Sequence, residues 1–303
     1  MTRSLAAAAV AMSMLMVAVL APQAGATHLG TTYCGPTIPA DEASGTVAFP
    51  RGDVFCPLFA DPKTEGSFVS YLRGKSSSAF GTDIGAAGIG DRFGLVRWNG
   101  QTPGLGVELS LAANVYTQFD LNTPSYDLIN ADYVVGLPLT VRWNRFSARL
   151  RPYHQSSHLG DEYLLRPGTQ RLNLSYQSIE SILSMDLGPL RVYGGGEYLP
   201  SREPDSLEAG VVHAGAELRQ RTELGHTGIR LIAGGDMKSA QELNWAVSWS
   251  VRAGFEVSRP GQEEHPVRRW TVVGEYYDGA SPYGQFFRDD VSYYGVGIHF
   301  APY

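Results

Sequence analysis

The sequence predicts an all-β fold, a transmembrane antiparallel up-and-down β-barrel of about twelve strands. Three observations carry that expectation. From Gly66 onward long segments alternate apolar and polar side chains, the period-two pattern of strands. Past residue 26 no run of about 18 apolar residues occurs, so no transmembrane helix is available. The chain also opens as an exported protein does, and an exported chain without such a helix is either soluble or a β-barrel.

The export signal is read over residues 1–26. A basic Arg3 precedes an apolar run from Leu5 to Leu20, and Ala24-Gly25-Ala26 supplies the small-residue cleavage site. Losing Arg3 moves the formal charge from −6 to −7. Such a charge argues against a nucleic-acid partner, which favours a basic patch. Residues 27–65 show Gly, Pro and Thr without sustained periodicity, as in Gly35-Pro36 and Asp61-Pro62, and are expected to form a periplasmic leader. The two cysteines, Cys34 and Cys56, both lie there. In an oxidising compartment they are expected to form a disulfide, which on chain-entropy reasoning contributes about 3 kcal/mol.

Residues 66–303 are expected to be the barrel. Ala131, Tyr133, Val135, Leu137, Leu139, Val141 and Trp143 are all apolar, while Asp132, Thr140 and Arg142 lie between them. Trp245 to Val257 repeats the pattern on odd positions, and Val212 to Leu218 repeats it on even ones. Segments longer than the usual five or six residues suit tilted membrane-spanning strands. Strands are placed near 66–74, 86–98, 104–118, 131–143, 145–158, 170–187, 189–199, 209–221, 225–238, 244–257, 267–278 and 290–300. Tight turns at Asn144, Asp186-Leu187-Gly188 and 222–225 alternate with longer connections, which places the short side in the periplasm. Tyr133, Trp143, Trp245, Trp270, Tyr276 and Tyr294 are candidates for the interfacial aromatic girdles. Arg142, Arg149, Arg151, Glu197, Glu217, Arg252, Glu256 and Glu275 point the other way, and are expected to fill a narrow lumen with paired charges.

The densest cluster of reactive side chains is Tyr153-His154-Gln155-Ser156-Ser157-His158-Leu159-Gly160-Asp161-Glu162. On the preceding strand Phe146, Ala148, Leu150 and Pro152 hold the even face, so the same outward face continues through His154, Ser156 and His158. Residues two apart on a strand point the same way, about 7 Å apart. His154 can therefore reach the Ser156 hydroxyl, the pairing a serine nucleophile needs. The next strand places Asn173 outward at the level of His154, where its amide could hold the imidazole tautomer. Glu162 is the competing third member. Backbone N–H groups near Gly160 are candidates to hold an oxyanion. A metal site of His154, His158, Asp161 and Glu162 is a weaker alternative.

His-x-Ser near the top of one strand, with a polar partner opening the next, resembles two outer-membrane lipid hydrolases, outer-membrane phospholipase A and the lipid A 3-O-deacylase. The resemblance implies a lipid-facing catalytic His154 and Ser156, with Asn173 or Glu162 third. It also allows, without requiring, a calcium ion held by Asp161 or Glu162. The alternating C-terminal stretch Tyr293 to Tyr303 resembles the signal read by the barrel assembly machinery. Over most of its length the chain resembles a bacterial outer-membrane family, domain of unknown function number twelve-oh-seven. Phe55-Cys56-Pro57-Leu58-Phe59-Ala60-Asp61-Pro62, Tyr153 to Leu165, Arg171 to Tyr176 and Tyr193-Gly194-Gly195-Gly196 carry that likeness. The expected function is that of an outer-membrane barrel that hydrolyses lipid acyl esters, with outer-membrane lipid as partner and a homodimer allowed. The alternative is a non-enzymatic barrel with a narrow pore or a binding role, and a soluble periplasmic all-β protein is a third reading.

Overall fold

The computed structural model describes residues 44–74, 82–102, 104–260 and 269–301. The expected export signal, Cys34 and the terminal aromatic Tyr303 lie outside the described residues. The strands are β1 (Gly45–Ala48), β2 (Ser67–Gly74), β3 (Asp83–Asn99), β4 (Leu105–Asp120), β5 (Leu128–Gly136), β6 (Leu139–Trp143), β7 (Phe146–Leu159), β8 (Leu174–Leu187), β9 (Leu190–Glu203), β10 (Gly210–Arg219), β11 (Ile229–Ala240), β12 (Val247–Val257), β13 (Arg269–Ala280) and β14 (Asp290–Ala301). One short helix, α1 (Asp161–Leu164), follows β7.

From β2 to β14 each strand is antiparallel to its neighbours, and β14 pairs with β2, so the barrel closes. β5 and β6 are two halves of one barrel strand: pairing to β4 and β7 resumes in the same register on both sides of the break. Pro138, which has no N–H to donate, sits in the gap. With β5 and β6 counted together and β1 set aside as a short strand on the edge of β3, the barrel has the twelve strands the sequence predicts. Closure leaves no unpaired edge, as lipid requires.

The turns follow local chemistry. Asn144 (φ 52°) and Gly188 (φ 72°) take the left-handed conformation that lets β6–β7 and β8–β9 reverse within two residues. At this end the 220–228 connection is longer than the expected tight turn. At the other end lie the loops 121–127, 160–173, 204–209, 241–246 and 281–289.

Side-chain alternation gives the barrel an inverted surface. Val69, Ile89, Leu231, Trp249, Phe255, Trp270, Tyr294 and Val296 are exposed on the outer wall, whereas Arg97, Arg142, Arg191, Glu108 and Glu180 are fully buried inside. Six of the eight predicted lumen charges are buried there, and Arg151 and Glu275 are half-buried. Arg142 meets Asp186 at 2.7 Å, Arg149 and Arg151 share Glu65 and Glu180, Arg191 meets Glu217 at 3.2 Å, Arg252 meets Glu275 at 3.0 Å and Arg219 meets Glu256 at 2.6 Å.

The arginines have a second task, because the C-terminal part of the expected leader runs inside the barrel. Residues 53–65 enter beside β3, rise to an apex at Asp61-Pro62-Lys63 and return to β2. Val54, Phe55, Cys56, Leu58 and Ala60 are buried. An irregular peptide can be buried only if its backbone groups find partners. Arg142 donates to the Val54 carbonyl, Arg92 to Phe55, Arg191 to Cys56 and Pro57, and Arg252 to Phe59 and Asp61, all at 2.8–3.0 Å. The Phe59 N–H donates to Glu217 at 2.6 Å. The Phe55 ring lies between the guanidinium groups of Arg149 and Arg191, each 4.9 Å from its centroid. Lys63–Asp132 (2.6 Å) and Lys238–Asp61 (2.9 Å) hold the apex.

Candidate active site

β7 carries the cluster as parity requires. Gln155 and Ser157 are buried toward the lumen, while His154, Ser156 and His158 face outward near the long-loop end. The Ser156 hydroxyl is hydrogen-bonded to His158 Nε2 at 2.9 Å, so its imidazole partner is His158 and not the expected His154. A serine flanked by histidines two residues away on either side can lean either way along the strand. What favours His158 is Tyr133 of β5, whose ring meets the His158 ring edge to face at 5.7 Å.

The register of the next strand also differs from expectation. His154 pairs with Gln177 and Ser156 with Ser175, and the ladder ends at Ser157–Leu174. Asn173, one residue further, is therefore level with His158 and four residues away from the level of His154. Residues 160–173, read in part as strand, instead form α1 and the turn after it. Asn173 is exposed on the outer side, and its Nδ2 donates to Glu203 Oε2 at 2.7 Å. That bond assigns the amide orientation, since only nitrogen can donate to a carboxylate, and it leaves Oδ1 as an acceptor.

Two participants were not foreseen. Odd positions of β9, such as Tyr193 and Glu197, point inward, so parity alone assigns Glu203 to the lumen. The β8–β9 register slips by one residue between Gln177 and Ile179, next to Pro200, and Glu203 emerges on the outer side. Its spacing carries no signal of that slip. Gln285, on the short 3-10 turn Gly284–Phe286, works from inside the barrel. Its Nε2 donates to the Ser157 and Leu172 carbonyls at 2.8 Å each, and its Oε1 accepts the Leu172 N–H at 3.2 Å. This one amide ties β7 to the approach of β8 where the strand ladder has stopped, and so spaces His158 from Asn173.

Asp161 and Glu162 are exposed in the first turn of α1. Among the described residues no group of three or more His, Cys, Asp or Glu is placed to hold a metal ion. Asp161 and Glu162, the donors a calcium ion was expected to use, belong to no such group. The Gly160 N–H, expected near an oxyanion, donates to the Ile129 carbonyl at 3.1 Å. Gly160 is confined to glycine, because a Cβ there would lie 1.9 Å from the Leu128 carbonyl oxygen.

Fold and surface define a class of protein: a closed twelve-stranded antiparallel barrel with an apolar outer wall, a fold shared with outer-membrane phospholipases. Outer membrane phospholipase A from Escherichia coli matches with a TM-score of 0.53 at 14% identity, over 78% of this chain and 90% of that one. The Salmonella typhi outer membrane phospholipase, a dimer with bound calcium, matches with a TM-score of 0.53 at 14% identity, over 80% and 94%. An active-site mutant of the Escherichia coli protein matches over 91% and 99%, with a TM-score of 0.54 at 13% identity. At such identities the likeness is one of fold. The chain itself belongs to the family described as protein of unknown function (DUF1207), which matches residues 19–302. No curated protein matches it.

Proposed function

We propose that this chain is an outer-membrane β-barrel that hydrolyses acyl esters of membrane lipids with a serine on its outer wall. The Ser156–His158 hydrogen bond of 2.9 Å, on an outward face amid exposed apolar side chains, carries the proposal. Ser156 is the nucleophile. His158 Nε2 takes its proton as Oγ attacks the acyl carbonyl, and returns a proton to the departing lysolipid alcohol. Water, activated by the same imidazole, then releases the fatty acid.

The Nδ1–H of His158 needs an acceptor to keep Nε2 basic. Asn173 Oδ1 stands level with it, held by Glu203, and the bond closes when lipid is engaged, since catalytic contacts are often long in the free enzyme. His154 remains on the same face as a headgroup contact, and Glu162 has no part. An outward site suits this chemistry, because lipid cannot enter a lumen filled by the chain's own residues.

The proposal includes export by residues 1–26, a Cys34–Cys56 disulfide, insertion by the barrel assembly machinery through β14, and a homodimer like that of the Salmonella typhi relative. In mixed micelles of detergent and phospholipid, the purified barrel should release fatty acid. Ser156→Ala and His158→Ala should each reduce release by on the order of 10²-fold or more, while His154→Ala leaves most of it and all three keep heat-modifiable gel mobility. Full activity in Ser156→Ala would refute the assignment.

A further inference from the structure

Between the apex of the lumenal segment and the long-loop end lies a cavity of about 190 Å³. Its floor is Asp61-Pro62-Lys63, and its walls include Glu197, Lys238, Tyr153 and Tyr176. This is on the order of ten times the space a single water needs. The charges around it are almost fully paired. Lys63 is bound to Asp132, Arg151 to Glu65 and Glu180, and Lys238 to Asp61, while Asp236 is hydrogen-bonded to Tyr193 and His213.

Glu197 is the exception. It is 9% exposed, and its Oε2 accepts the hydroxyls of Tyr153 and Ser178. Among the described residues no side chain forms a direct ion pair with it, although the Lys238 charge in the same cavity acts on it, and nothing donates to Oε1. Its open oxygen, beside the cavity, can accept from a cationic ligand. Calcium or magnesium favours several carboxylates, and no group of three or more His, Cys, Asp or Glu placed for a metal occurs among the described residues. The wall beside Glu197 is aromatic instead: Tyr176 stands edge-on to Tyr153 at 6.2 Å, and the far face of Tyr153 already carries Arg151 at 4.8 Å. One carboxylate beside a tyrosine ring is the recognition pattern for an organic ammonium.

We propose that this lumenal cavity binds a small organic ammonium solute, with Glu197 Oε1 as counter-ion and Tyr176 as the cation–π partner. The barrel wall separates it from the outer-face site, so the ligand is a free solute that enters from the long-loop end. The test is a calorimetric titration of the full-length barrel, in a non-ionic maltoside, with ethanolammonium chloride and with tetramethylammonium chloride. The wild type should give saturable binding. Glu197→Gln should weaken it at least tenfold, and Tyr176→Leu should weaken tetramethylammonium binding while the carboxylate stays in place. Both variants should keep heat-modifiable mobility. The proposal is overturned by no saturable binding of either ammonium salt, by equal binding in Glu197→Gln, or by an identical titration with sodium chloride.

Discussion

At the scale of single residues, the site depends on which of two outward histidines holds Ser156. Strand parity alone separates Ser156 from the inward Ser157, and that much is legible in the sequence. Parity cannot choose between His154 and His158, which are equivalent by spacing. The choice is made by Tyr133, whose neighbourhood depends on the β5–β7 register. Asn173 was legible as an outward amide, but its level depends on how many residues the 160–173 loop consumes. Glu203 was hidden by the register slip in β9. Because Asn173 is proposed to orient His158, Asn173→Ala should lower kcat by on the order of 10²-fold, the low end of what a positioned base contributes. Glu203→Gln should cost less, since a glutamine can still accept from Asn173. Comparing kcat and KM of the two variants checks this order; an equal loss in both would place the weight on Glu203.

At the scale of elements, the strands were legible nearly residue by residue, because one apolar face and one charged face impose a strict period of two. The element that was not legible is the segment 53–65. It has no period, because it is neither strand nor helix, and the donors to its backbone are arginines spread over four strands, β3, β6, β9 and β12. Arg142 and Arg252 were legible as lumen charges, whereas Arg92 and Arg191 were not singled out and the role of all four as donors to a buried backbone was hidden. Arg191 is the test of that role. It satisfies two carbonyls, Cys56 and Pro57, and pairs with Glu217. Arg191→Ala leaves all three uncompensated, and removing one partner of a buried ion pair costs about 3–5 kcal/mol. The unfolding midpoint of the detergent-solubilised barrel should fall accordingly, while its strand content by circular dichroism stays the same. An unchanged midpoint would mean that water replaces the guanidinium.

At the scale of the whole molecule, the inside and outside of the barrel have separate tasks. The lumen is filled by the chain's own residues and by buried ion pairs, and a cluster of Tyr116, Tyr163, Tyr283 and Phe286 packs beside the cavity described above. In a planar bilayer the intact protein should give no stable single-channel steps, and regular steps would favour the pore reading. The proposed chemistry then belongs to the outer wall, where Ser156 and His158 meet. The most direct measurement is covalent labelling of the folded barrel with a fluorophosphonate, followed by mass spectrometry of the modified peptide. Attachment at Ser156 that is lost in His158→Ala and kept in His154→Ala is the predicted result. Labelling that persists in Ser156→Ala, or that depends on His154 and not on His158, would contradict it.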